Sequence, residues 1–287
     1  MIGLLSHPFM QHAYLAGTAV ALAAGLVGYF LVLRAQVFTA DALSHVAFTG
    51  ALAALAAGFD VRVGLFVVTV LVALAMGGLG SRARPDDVVI GGLFAWILGL
   101  GVLFLSVYSR NRSGSGNGSA SVSVLFGSIF GISAERAVAT AIVGTALCAV
   151  MVFLVRPLLF ASLDPDVARA RGVPVRLLGF GFLAIVGVTA AEASQVVGAL
   201  LILGLIATPA GAAMQLTNRP TVALGLSVVI SVVSLWVGLA VSYAAPTLPP
   251  SFAILGLATL AYLGAAVLGR RRSRVGRMVT SMENLLP

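Results

Sequence analysis

The sequence predicts an all-α fold, a polytopic membrane bundle of about eight or nine transmembrane helices. The 287-residue chain is 60% hydrophobic and only 9% charged, with a mean hydropathy of +1.10, far from the balance of a water-soluble domain. Its apolar residues fall in separate runs that can cross a hydrocarbon core of about 30 Å, which takes roughly 20 helical residues. A transmembrane β-barrel would alternate apolar and polar positions along strands of about ten residues. These runs do not alternate.

The first run, 14–33, lacks a basic start and is too long for a signal-peptide core, so it reads as a spanning helix closed by Arg34. A second span is expected over 38–58, and Asp60 and Arg62 break the chain before a third over 63–80. Pro85 stops the helix in the charged turn "RARPDD" (82–87), and a fourth span follows over 88–108. "SRNRSGSGNGSASVS" (109–123) has the composition of a flexible loop. Its Asn117-Gly118-Ser119 glycosylation pattern stands without any sign of a eukaryotic secretory context. "VLFGSIFGIS" (124–133) is too short to span and reads as re-entrant or interfacial.

The fifth span, 135–155, ends at Arg156-Pro157, and the hydrophilic segment "SLDPDVARARGVPV" (162–175) follows. The sixth is expected over 177–192 and the seventh over 196–216, the latter broken by "ATPAG" (207–211). After the turn "TNRP" (217–220), the eighth and ninth, 221–243 and 251–269, flank the proline-rich "AAPTLPP". Residues 1–269 form the expected membrane domain, and 270–287, opening on "RRRSRVGR", a basic cytoplasmic tail.

Nine spans put the termini on opposite sides. With the tail in the cytoplasm, only Arg62, Arg110, Arg112 and Arg136 face outward and the other 13 of the 17 arginines face inward. That satisfies the positive-inside rule and places the N-terminus outside.

All 17 basic residues are arginine. Without lysine there is no phosphate-binding G-x-x-x-x-G-K-[ST] loop and no Schiff-base chemistry. If ATP drives this protein, another chain hydrolyses it. The lone Cys148 excludes an intrachain disulfide and a cysteine-based zinc site. The net charge of +8 fits loops that set orientation and meet anionic headgroups, not a nucleic-acid partner.

Of the nine acids, Asp41 stands out. It lies in "DALSHVAFTG" (41–50), four residues before His45, and the apolar pattern resumes on both sides. At i, i+4 the two share a helical face, with Cβ atoms about 5–6 Å apart. An aspartate at the centre of a membrane helix costs about 2.5–3.5 kcal/mol on insertion scales, so its presence asks for a function. Three readings stand side by side: a structural Asp–His hydrogen bond, a proton relay, and a transient divalent-metal site. Carboxylate plus neutral imidazole suits Zn²⁺, Mn²⁺ or Fe²⁺, and two ligands suit passage better than storage. Ser44 points about 100° away from His45.

Glu192, in "TAAEASQ" at the outer end of the sixth span, reads either as an exposed helix-end acid or as a charge drawing cations into the mouth. His7 and His12 precede the first span and read as surface residues or outer metal contacts. In "SLDPDVARARGVP", Asp164 is a good N-cap, Pro165 suits the first turn, and Gly172 with Pro174 ends the helix. A short cytoplasmic helix exposing Arg169 and Arg171 is the result, either anchoring to headgroups or docking a partner.

The run "LRAQVFTADALSHVAFTGALAA" resembles the second-helix signature of the permease subunits of ABC importers for zinc, manganese and iron. "IGGLFAWILGLGVLFLS" (90–106), "LFGSIFGIS" (125–133), "SLDPDVARARGVPV" and "VVGALLILGLIATPAGAA" (196–213) resemble later blocks of that family in the same order, so the likeness covers about residues 9–268. The resemblance implies a permease of the type II ABC importer kind. It would work as a pair, a homodimer, on two cytoplasmic ATPase subunits, with an extracellular or periplasmic protein delivering the metal across a prokaryotic plasma membrane. It implies that Asp41 and His45 line the metal path. It also implies that Asp164, Pro165, Ala168, Arg169, Arg171 and Gly172, on the helix at 164–172, couple to the ATPase. No permanent cofactor is expected: the metal ion is cargo and ATP belongs to the partner. Where many members carry Leu-Pro-Gly, this chain has Phe48-Thr49-Gly50, so the proline kink just beyond the site is absent. The rival expectation is a proton-coupled carrier in which Asp41 and His45 exchange protons.

Overall fold

The structure is a computed structural model that describes residues 7–80, 87–111, 129–198 and 202–283. Helix α1 (Pro8–Leu33) opens on a proline, whose missing N–H costs nothing in a first turn. It closes at Ala35, which takes the left-handed conformation with φ 55°. The Gln36 N–H then donates back to the Leu31 carbonyl, and the chain reverses at once into α2 (Val37–Ala57). Gly58, φ 78°, ends α2. Asp60 caps α3 (Val61–Leu79), accepting from the Arg62 and Val63 N–H groups at 2.8 and 3.4 Å.

α4 (Asp87–Asn111) and a single 3₁₀ turn, Ile129–Gly131, come next. α5 (Ala134–Leu163), capped by Ser133, leads into the short α6 (Pro165–Ala170). The chain finishes with α7 (Val175–Val196), α8 (Ile202–Leu216), α9 (Pro220–Ala244) and α10 (Pro250–Glu283). The turn at 82–86, most of the Ser/Gly loop with Asn117, and the start of the 124–133 segment lie outside the described residues.

Eight of the described helices are long and apolar enough to cross a membrane. α8, with 15 residues, is about 22 Å long and falls short. Its direction nevertheless preserves the alternation. Gly204 abuts Leu255, Gly211 abuts Tyr262, and Gly269 abuts Gln215, so α8 runs parallel to α10. Gly238 against Ile254 sets α10 antiparallel to α9. Among the described residues the last three helices, α8, α9 and α10, thus alternate in direction.

Three boundaries differ from the sequence expectation. α5 continues through Pro157 to Leu163, and α8 runs unbroken through Pro209. In a membrane bundle, neighbouring helices tolerate a proline that would stop a helix in water. The real interruption precedes α8, at Val197 and Gly198, whose φ of 101° suits glycine. At the far end, α10 continues as helix through the arginine-rich 270–277 to Glu283.

α1 lies at the centre, packed against α5, α7, α8 and α9. Small residues make this possible, because lipid offers helices no hydrophobic drive to associate and close backbone contact must supply it. Gly25 lies against the Val228 backbone, and the Ser227 hydroxyl donates to the Gly25 carbonyl at 2.8 Å. Trp236 Nε1 donates to Thr18 Oγ1 at 2.9 Å, a second tie between α1 and α9. On the other flank α2 packs on α3, α4 and α7, while α4 among the described residues packs mainly on α2 and lightly on α3.

Candidate functional site

One face of α2 stays open. Ala42, Leu43, Ser44, Val46 and Ala47 are buried, whereas Asp41, His45 and Phe48 are half-buried and Phe38 is 44% exposed. The open positions recur at helical spacing, so both polar residues lie on one uncovered stripe. Asp41 and His45 are the fifth and ninth residues of α2, about 6 and 12 Å beyond its start. They therefore sit in the half of α2 nearer the α6 end of the bundle.

Among the described residues neither side chain forms an ion pair or hydrogen bond, to each other or elsewhere. The Ser44 hydroxyl is buried and donates to the Asp41 carbonyl at 2.7 Å, so it is turned inward. No group of three or more His, Cys, Asp or Glu side chains gathers among the described residues. One chain thus presents a carboxylate and an imidazole side by side, both with open coordination.

Aromatic rings line the same face. The Phe94 ring of α4 stands 5.3 Å from the His45 ring, at 57°, and 6.3 Å from Phe38. Thr49 fixes the register: its hydroxyl donates to the Ile97 carbonyl at 3.3 Å. A Cβ on Gly101 would lie 2.8 Å from Thr49 Oγ1. Thr49 thus bonds α2 to α4 from within an unbroken helix. The sequence alone did not bring Phe94 to this face, because nothing in "GGLFAW" points to a residue about fifty positions earlier.

Glu192 is not the exposed helix-end acid that its sequence position suggests; it is 2% exposed. α3 and α5 pack across the end of α7 and cover it. Thr140 and Arg62 are its electrostatic neighbours, yet neither carboxylate oxygen has a hydrogen-bond partner among the described residues. It borders a cavity of about 380 Å³ shared with Arg62, Phe66 and Val143. Arg62 Nε donates instead to Gln195 Oε1 at 3.1 Å. The adjacent Ala191 packs on Ala47 and Ala51, so Glu192 faces away from α2 and does not join Asp41 and His45. His7 is exposed, stacks on Phe9 and lies tilted against Tyr243, with ring centroids 5.6 and 6.1 Å away.

At the opposite end, α6 forms where the sequence places it. Asp164 accepts from the Val167 N–H at 3.0 Å, Pro165 opens the helix, and Gly172 reverses the chain with φ 80°. Ala168 is fully buried against Ala161 and Val175, so it seats the helix in the bundle and cannot reach outward. Arg169 and Arg171 are exposed, as are three apolar residues that the sequence reading missed: Leu163, Val167 and Leu177. An adjoining cavity of about 460 Å³ is lined by Arg169, Val173, Pro174, Arg176 and Phe180.

Residues 6–269 match the ABC 3 transport family. The chain belongs to that family. As an ABC 3 member it is a multi-pass plasma-membrane component of an ABC transporter. It is 29% identical over 237 residues to the manganese transport system membrane protein MntC of Halalkalibacterium halodurans, covering 82% of this chain and 79% of that protein. It is 27% identical over 241 residues to a probable iron transport system membrane protein of Haemophilus influenzae, covering 83% and 86%. The solved structure of PsaBC from Streptococcus pneumoniae in complex with a Fab superimposes with a TM-score of 0.79 at 26% identity, over 92% of each chain. An inward-facing putative metal-chelate type ABC transporter shares the fold, with a TM-score of 0.65 at 18% identity.

Proposed function

We propose that this ABC 3 chain is the permease of an ATP-driven importer of a divalent transition metal, with Asp41 and His45 as the transient ligands of the path. The observation that carries this is the uncommitted pair itself. A carboxylate and an imidazole lie one turn apart on an open helix face, with no partner among the described residues to neutralise them. An unpartnered carboxylate and imidazole on the same face leave their lone pairs free for an arriving cation. The names of the relatives agree with manganese or iron as cargo, and the site chemistry also admits zinc.

Two ligands hold a metal loosely. A second copy of the chain, presenting its own Asp41 and His45 across a homodimer axis, would complete a set of four. Glu192, buried beside Arg62, would act at most as a remote charge near the outer mouth. An extracellular or periplasmic binding protein would deliver the metal there. The lysine-free chain has no phosphate loop of its own, so a cytoplasmic ATPase subunit supplies the energy. α6 is its docking point, where exposed Leu163, Val167 and Leu177 give an apolar centre and Arg169, Arg171 and Arg176 a basic rim. The proton-relay reading gains nothing from a pair that is not hydrogen-bonded.

The test is uptake into vesicles reconstituted with the permease and its ATPase, with Zn²⁺, Mn²⁺ and Fe²⁺ in competition. Asp41→Ala with His45→Ala should abolish metal uptake and leave ATPase assembly intact. Normal uptake by the double variant would remove the site assignment, and uptake driven by a pH gradient without ATPase would favour the carrier.

A further inference from the structure

The two ligands do not by themselves explain how a path would reject Mg²⁺, which also binds carboxylate. Phe94 supplies an answer. Its ring lies against His45 and reaches Phe38, which precedes Asp41 by one helical turn. The ring thereby stands beside His45 and spans one turn of the otherwise open face that also carries Asp41. An apolar wall around a metal site governs how much water enters it. Mg²⁺ sheds water reluctantly and demands a near-ideal octahedron of oxygens, whereas first-row transition-metal ions from Mn²⁺ onward bind mixed nitrogen and oxygen sites.

We propose that Phe94 is the specificity-determining residue of the Asp41–His45 site, a ring that occupies the space of an ion's retained waters and so excludes magnesium. The placement is built, not incidental. α4 is held almost entirely by α2, and its register there depends on the Thr49–Ile97 hydrogen bond and the close approach at Gly101. Ile97 is buried, and Phe94 lies one turn before it, over His45. Thr49 is therefore the positioning residue and Phe94 the one that meets the ion. This inference rests on the metal-site reading above.

The experiment measures Mn²⁺ binding to the purified permease–ATPase complex in nanodiscs, by loss of the free-ion electron paramagnetic resonance signal, with Mg²⁺ as competitor. Phe94→Ala and Phe94→Asn should each lower the Mg²⁺ needed for half-displacement by about tenfold, a typical effect of altering a metal site's surroundings. Mn²⁺ affinity measured alone should change far less. Phe94→Leu, which keeps an apolar wall, should retain discrimination. If Phe94→Ala fails to assemble, the Asn and Leu variants decide. Wild-type discrimination in the Asn variant, or equal loss in Asn and Leu, would overturn the proposal while Asp41→Ala/His45→Ala still abolishes binding. Unchanged Mn²⁺ binding in that double variant would instead overturn the site itself.

Discussion

Gly50 of α2 and Gly64 of α3 meet backbone to backbone, each placed so that a Cβ on one would lie 2.6 Å from the carbonyl oxygen of the other. The contact lies about one turn beyond His45, so α3 holds the helix that carries the candidate site at its closest backbone approach. No residue larger than glycine fits either position without parting the helices.

Gly50→Val should therefore destabilise the protein by about 1–3 kcal/mol, the usual cost of overpacking. Thermal unfolding in detergent measures it. An unchanged melting temperature would mean that the α2–α3 contact is looser than described.

Ser227→Ala removes the buried donor to the Gly25 carbonyl. Interhelical hydrogen bonds in membrane proteins contribute about 0.6 kcal/mol on average, so a loss near that size is expected in a denaturant titration. Ser227→Val should cost more, because Val228 already lies against Gly25.

Thr49→Val keeps the shape of the side chain and loses the bond to Ile97. It should weaken rejection of Mg²⁺ in the same direction as Phe94→Ala but less, with a stability loss of about 1 kcal/mol. Competition binding and thermal unfolding of the same preparation report both effects.

Arg62 and Glu192 should show coupling. Removing Arg62 leaves the buried carboxylate without its positive neighbour, and Glu192→Gln removes the charge that needs it. The double variant Arg62→Ala/Glu192→Gln should be more stable than Arg62→Ala alone. A double-mutant cycle is expected to give an interaction energy within about 0.5–3 kcal/mol, towards the low end because Arg62 is partly exposed.

Val167→Asp should weaken capture of the ATPase subunit and leave the melting temperature within experimental error, since Val167 is exposed on α6. Ala168→Leu should do the reverse first. It overfills the pocket formed with Ala161 and Val175, so unfolding would reveal it before any loss of docking.

The sequence made local features legible and missed those made by packing across the bundle. Asp60 announces a break, and Asp164 and Gly172 their cap and turn, because capping and turns are decided within a few residues. Pro157 and Pro209 misled for the same reason: the rule that stops a helix at proline is local, and in this bundle neighbouring helices override it. Glu192 looked exposed because it falls near a helix end, yet α3 and α5 enclose that end. Asp41 and His45 were visible through their spacing. The ring above them came from α4, and only the fold could bring it there.

The brevity of α8 has a consequence for the lipid. Enclosed largely by α1, α9 and α10, it shows little of its shortfall to the surrounding bilayer, which meets mostly full-length helices. A thinner or thicker membrane would therefore be accommodated by tilt of the outer helices. The irregular backbone at Val197 and Gly198 is likewise surrounded by protein. Both residues are buried, and the Val197 carbonyl accepts from the Ser251 hydroxyl at 3.1 Å. Changes in bilayer thickness would thus bend the perimeter and spare the middle.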